Sequence, residues 1–475
     1  MNRALLIQLW VFVIGFLFSN LHKRTFDPVF RALIALPVGW AIFGISATLV
    51  YSVYFGAASQ VALLCVLALA TLALLIGNII NRSLAKDSMV LAVVSLLVLA
   101  GVCLWVDSLR IVTMSPDSSY LARYGQNIGL GDYEGSRMVF SMWGPFVPFI
   151  HSLTNLLGQK LFWQYQPVIS LHLIAIVFYT VYSIVRERAP ILHSLVAATL
   201  LVSLMVLSDI FLFHIFYIHV NLVSALYVYL CVFALAKLQQ EQEKAYGSLA
   251  LLSLIGFSLV RIEAPLFAIA ILLVTTFRWR GWSYGTRLRL IIPYTLVLVA
   301  WYARVYFMLP DHPDLLTKQL TIAFISVFIG FGLFAVFSGV EVLRSVINQT
   351  HVLVVIGLIL LGIVFTALNP EQMITSLRSM VRNALVGGDW GLTWYVIAFL
   401  GTELYVIGRH SMERRWMFLI LVSYGLLVYN LTYFSGAYRI GASDSGNRLI
   451  LQMLPLVVLY FSTGVPQMLK TFEKC

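Results

Sequence analysis

The chemistry available to this chain concentrates in a few polar stretches set between apolar runs. The densest is residues 107–145, where Asp107, Arg110, Asp117, Arg123, Asp132, Glu134 and Arg137 stand between two hydrophobic regions. Ionisable groups are costly beside a bilayer unless they are solvated or used. From Ser118 the apolar positions Leu121, Tyr124 and Ile128 recur at helical spacing, Ser115 or Asp117 stands where a cap belongs, and Gly129-Leu130-Gly131 ends the run. The spacing predicts a short helix on the membrane surface with Asp117 at its N-terminus. The helix dipole there favours the ionised carboxylate, which makes Asp117 either a plain cap or a proton acceptor at neutral pH. Asp132 and Glu134, in a glycine-bounded turn, read as solvated turn acids. Arg110, Arg123 and Arg137 suit interfacial anchoring or phosphate binding.

Three further stretches carry polar groups. In SLVRIEAPLF, Arg261 and Glu263 interrupt two short apolar segments, as a structural ion pair or as the lining of a polar cavity. In GAYRIGASDSGNRLILQMLPL, glycine and serine permit close backbone approach and the forks of Arg439 and Arg448 match a phosphate; a flexible loop with an arginine anchor is the plainer reading. His214, His219 and Asn221 flank DIFLFHIFYIHVNL, but histidines five apart do not share a helix face and no carboxylate stands at ligand spacing, so no metal site is expected. Asp311, His312 and Asp314 read first as a proline-defined turn.

Membrane helices must position these groups. Of 475 residues, 61% are hydrophobic, 14% aromatic and only 11% charged, too few charges to cover a water-facing exterior. The expectation is an all-α polytopic integral membrane protein. A span needs roughly 20 apolar residues to cross a core of about 30 Å. Candidate runs are 4–19, 32–56, 59–80, 88–106, 161–185, 189–207, 218–238, 246–260, 265–277, 290–308, 320–340, 351–368, 393–409, 416–434 and 449–464. The pair 246–260 and 265–277 is either a hairpin of two thin helices or one helix interrupted at Arg261. The first run lacks an obvious small-residue cleavage site and reads as a retained anchor.

Charge orients the scheme. Segments 20–31, 81–87, 186–188, 237–244, 278–289, 341–350, 409–415 and the tail after 464 hold 19 Lys and Arg against 8 Asp and Glu, whereas the opposite side holds 10 against 11. The positive-inside rule makes the first set cytoplasmic, most firmly through Arg278, Arg280, Arg287 and Arg289, and leaves 107–145, 208–217, 261–264, 309–319, 369–392 and 435–448 outside. The net charge of +11 is thus loop bias rather than a nucleic-acid footprint. Cys65, Cys103, Cys231 and Cys475 lack CxxC or Cys/His spacing, and no GxxxxGK[ST], GxGxxG or HExxH pattern occurs.

Three passages together resemble the GT-C superfamily of membrane glycosyltransferases, which includes protein mannosyltransferase-like and aminoarabinose transferase-like enzymes. SPDSSYLARYGQNIGLGDY, followed by the proline-containing SMWGPFVPFIHSL, resembles the family's acidic first loop and its re-entry. LVRIEAPLF is similar to its Arg-x-Glu-small turn, and SDSGNRLILQMLPL resembles its polar approach to a late span. The resemblance implies a GT-C-like helix bundle over residues 88–464, an accessory unit of N-terminal spans over 1–87, and a cytoplasmic tail over 465–475. It implies transfer of a sugar from a polyprenyl-phosphate donor to a lipid, glycan or protein acceptor at the outer face, in a bacterial inner membrane by preference. Asp117 would be the general base; Arg448, then Arg261, would offset the departing phosphate, Glu263 would orient Arg261 or a sugar hydroxyl, and Arg123 and Arg137 would add substrate contacts. Many members carry a second acid beside the first, whereas Ser118 and Ser119 follow Asp117, so the sequence requires no cofactor, although the family leaves room for a divalent cation.

Two other functions fit the same outline. A lipid-linked glycan polymerase or ligase would use arginines and a histidine in a long late outer loop, but 369–392 offers Arg378 and Arg382 without a histidine. A transporter or flippase of a lipid-linked anion would place Arg261, Arg304 or Glu403 along a path through the bilayer, whereas a transferase gathers its polar groups at one face.

Overall fold

The structure, a computed structural model, describes residues 3–56, 58–158, 162–276, 282–313, 315–340, 344–408 and 412–466. Lys160, Arg278, Arg280, Asp314, Cys475 and most of the tail after 464 lie outside them. The protein is an all-α polytopic membrane protein. Ten of its described helices are long and apolar enough to cross a membrane, or eleven if Ile191–Val206 and Asp209–Phe216, bent by 77°, form one broken span. Among the described residues the extended pairing is a single parallel bridge, Thr113 with Tyr217. The two short runs around Arg261 are separate helices, Lys244–Val260 and Ala264–Thr276.

Helices cluster into two compact units. The first comprises Met1–His172, Phe216–Pro265 and Ser283–Gly339, so the N-terminal helices share a unit with the polar loop 107–145. Its opening pair, Arg3–Leu21 and Pro28–Val53, cross backbone to backbone: a Cβ on Gly15 would stand 1.7 Å from the Ala35 carbonyl oxygen, and one on Gly39 would stand 1.9 Å from that of Val11. Small residues permit such packing where lipid supplies no hydrophobic drive. A buried polar knot fastens the ends of these helices. The Arg31 Nη1 donates to Asn20 Oδ1 at 2.6 Å, and Asn20 Nδ2 donates to Asn78 Oδ1 at 2.9 Å and to the Ser83 carbonyl at 3.1 Å. Helix Asn221–Glu241 is the buried centre of this unit, and its Tyr227 hydroxyl donates to the Pro37 carbonyl of helix Pro28–Val53 at 2.9 Å.

The second unit comprises Leu173–Ile215, Leu266–Trp282 and Val340–Cys475. Its last helix, Ser445–Ser462, starts where Asp444 accepts from the backbone N–H groups of Gly446 and Asn447. Asn447 is buried and ties that start to a distant segment, accepting from the Trp390 indole and donating to the Gly388 carbonyl at 3.0 Å.

Candidate functional site

Around Asp117 the chain folds as its local chemistry dictates. Helix Pro116–Leu130 begins at Ser115, in extended conformation, whose hydroxyl accepts from the Ser118 N–H while the Ser118 hydroxyl accepts from the Ser115 N–H. Proline occupies the first helical position and Gly131, at φ 72°, ends the helix in the left-handed region. The cap is therefore Ser115, and Asp117 sits in the first turn with its side chain 33% exposed. Asp132 and Glu134 are turn acids: Asp132 accepts from the Gly135 N–H, and Glu134 pairs with Arg137 at 3.0 Å.

A second segment is stitched to this helix start. The Thr113 N–H donates to the Phe216 carbonyl and the Ile218 N–H donates to the Thr113 carbonyl. Ser115 and Tyr217 share a hydroxyl hydrogen bond of 2.6 Å, and the Ser118 hydroxyl donates to the Ile218 carbonyl at 2.7 Å. This backbone register carries His219 to Asp117, with Nε2 3.6 Å from Oδ2, just beyond a hydrogen bond but close enough for charge to act. The imidazole is 1% exposed, stacked on Tyr217 at 5.1 Å and met edge-on by Trp143 at 5.2 Å. His219 is the site residue that sequence spacing missed, because its partner lies on another helix rather than at i±4.

Two residues beyond His219, Asn221 opens the buried helix Asn221–Glu241 and receives a hydrogen bond from Arg261 Nη1 at 3.0 Å. Arg261 Nε donates to Glu263 Oε1 at 2.5 Å, with the two side chains 13% and 17% exposed. Their turn is pinned by the Tyr302 hydroxyl, which donates to the Ile262 carbonyl at 3.2 Å. Two local groups, Asp117 with His219 and Asn221 with Arg261 and Glu263, are thus joined through the short chain segment 219–221, all within the first unit. Trp143 closes the other side through its neighbour. A Cβ on Gly144 would stand 2.3 Å from the Leu259 carbonyl oxygen and 2.5 Å from the Arg261 nitrogen. Backbone atoms cannot yield as a flexible side chain does, so Gly144→Ala is expected to cost about 1–3 kcal/mol through overpacking. Thermal unfolding of the purified protein should show a lowered midpoint for Gly144→Ala and none for Gly101→Ala, where no atom lies within 4 Å.

The remaining candidates stand on other elements or faces. Arg137 clamps the loop: Nε and Nη2 donate to the carbonyls of Met308 and Leu309, at the end of helix Tyr284–Met308, and its hydrogen bond to Glu134 raises its pKa further. Those contacts give it a structural task where sequence allowed phosphate binding. Arg123 is exposed, six residues past Asp117 and so about 120° round the helix from it. Arg448 belongs to the second unit, in the first turns of Ser445–Ser462. Among the described residues no group of three or more His, Cys, Asp or Glu could hold a metal ion.

Chemically, the arrangement offers a partly exposed carboxylate at a helix start, a buried imidazole behind it, and a guanidinium whose plane is fixed at two of its nitrogens. No protein-family model matches the chain, and no curated protein matches it.

Proposed function

We propose that this multi-pass membrane protein is an inverting glycosyltransferase of GT-C type, moving a sugar from a polyprenyl-phosphate donor to a hydroxyl of a lipid, glycan or protein acceptor. The observation carrying this reading is that partly exposed Asp117 is backed by buried His219, and that Asn221, two residues further along, is bonded to Arg261, itself paired with Glu263. A hydroxyl is a weak nucleophile, so attack on the anomeric carbon needs a base at hand. In the proposed step Asp117 takes the acceptor proton as the acceptor oxygen bonds to that carbon. The bond from the anomeric carbon to the phosphate oxygen breaks, and the lipid phosphate leaves with the electron pair. Direct displacement inverts the anomeric centre. Arg261 offsets the charge on the departing phosphate, and Glu263 and Asn221 hold its fork in one orientation, which avoids reorganisation during the reaction.

The charge asymmetry of the loops favours a site on the non-cytoplasmic face, and the absence of any nucleotide-binding signature fits a lipid-linked donor; a bacterial inner membrane is the proposed location. Gathering of polar groups in one cluster supports transfer over transport, which would spread them along a path through the bilayer. The test is to supply labelled polyprenyl-phosphate sugars, with candidate acceptors, to the full chain in lipid nanodiscs. Appearance of free polyprenyl phosphate together with labelled product is the expected result; movement of intact donor between leaflets without cleavage would overturn the proposal.

A further inference from the structure

Helix Pro370–Arg382 carries three faces rather than two. It starts one residue after the apolar helix Arg344–Leu368, with the Asn369 side chain accepting from the Gln372 N–H and Pro370 at the first position. Met373, Ser376 and Ser379 form its buried face. That face is fastened: the Ser376 hydroxyl accepts from the Tyr438 N–H at 2.9 Å, and the Gln372 side chain donates to the Thr432 carbonyl. Just beyond, Asn383 donates to the Arg439 carbonyl and accepts from the Gly441 N–H, both at 2.8 Å.

The second face is apolar and open. Ile374, Leu377 and Val381 fall within about 60° of one another on the helix wheel and are 42%, 48% and 51% exposed. Leu385 and Val386, in the π-helical turn Asn383–Gly387, are two further open aliphatic side chains beyond this stripe, the latter 80% exposed. Along one edge of the stripe run Arg378 and Arg382, a turn apart and both exposed. Water alone does not account for three large aliphatic side chains in one open row, with two more open just beyond, on a helix whose other side is locked down.

We infer that Pro370–Arg382 and the turn after it lie in the membrane interface, with Ile374, Leu377, Val381, Leu385 and Val386 among the acyl chains and Arg378 and Arg382 on the phosphates of anionic phospholipids. Two features select lipid as the occupant. The stripe follows directly on the exposed aliphatic surface of Arg344–Leu368, where Ile359, Leu360, Ile363, Val364 and Leu368 are open, so the apolar surface passes from a spanning helix onto a surface helix. The arginine border matches the headgroup layer in which an amphipathic helix buries its apolar face about 5–10 Å deep.

The experiment uses the full chain in nanodiscs, with Cys65 and Cys475 replaced by serine and a bimane probe placed at Val381→Cys or Leu377→Cys, and at Thr375→Cys on the polar edge. Probes at 381 and 377 are expected to be quenched by lipid-borne nitroxides and shielded several-fold from aqueous iodide, with the reverse at 375. Equal iodide access at all three positions would overturn the inference, as would shielding at 381 that lipid nitroxides do not quench, since a second protein copy would then cover the stripe. For the arginines, phosphatidylglycerol in place of phosphatidylcholine is expected to raise the unfolding midpoint by several degrees, an increment absent from an Arg378→Gln/Arg382→Gln variant. No increment in the parent protein would overturn the assignment of these arginines. Neither readout depends on sugar transfer, so this inference and the transferase proposal fail separately.

Discussion

Asp117→Asn is expected to lower sugar transfer by roughly a hundred- to ten-thousand-fold, the range that a positioned general base contributes. The substitution is nearly isosteric and leaves the helix start intact, because the Ser115–Ser118 capping box does not involve Asp117. What it removes is a carboxylate at the positive end of the helix, an interaction of about 0.3–1 kcal/mol, so the unfolding midpoint should hardly move. Unchanged turnover with normal folding would exclude Asp117 as the base. His219→Phe keeps a ring between Tyr217 and Trp143 while deleting the nitrogen that faces Asp117 at 3.6 Å. A smaller loss than that of Asp117→Asn is expected, carried mainly in kcat, since His219 is buried and acts through the carboxylate it backs.

The second large effect concerns Arg261 and Glu263, where structure and chemistry can be separated. Removing one member of a buried ion pair strands the other. With some exposure remaining on both side chains, Glu263→Met should cost about 3 kcal/mol, the lower end for a buried pair. The expected sign for Arg261→Met is the same, with Asn221 also losing its donor. Replacing both by methionine removes the stranded charge and should restore most of the stability lost in either single variant. If Arg261 offsets the charge on a departing phosphate, the double variant stays inactive although it folds. A stable double variant that transfers sugar at the parental rate would reduce the pair to a structural tie.

Helix Pro116–Leu130 was legible in the sequence because its signals are local: a serine cap, proline at the first position, apolar residues at helical spacing and a terminal glycine. Membrane character was equally legible, since composition alone fixes the solvent. The partnership of Asp117 with His219 was not legible. It depends on the bridge between Thr113 and Tyr217, about a hundred residues apart in sequence, and no local pattern encodes that register. The contacts of Arg137 were no more legible, since its fork suits a phosphate and two backbone carbonyls alike, and the carbonyls it reaches belong to residues 308 and 309. The Arg261–Glu263 pair was visible as a break in an apolar run, whereas its hydrogen bond to Asn221 appears only once the central helix is in place.

The contact of Gly144 with residues 259–261 removes a degree of freedom. Two strands of main chain touching without side chains between them have no soft layer in which to slide, so the tryptophan beside the imidazole and the guanidinium turn shift together or not at all. A side chain added at Gly144 would push these two stretches of main chain apart. On the transferase proposal, a lipid-tethered substrate would meet an Asp117 that is already partly exposed, without that seam having to open.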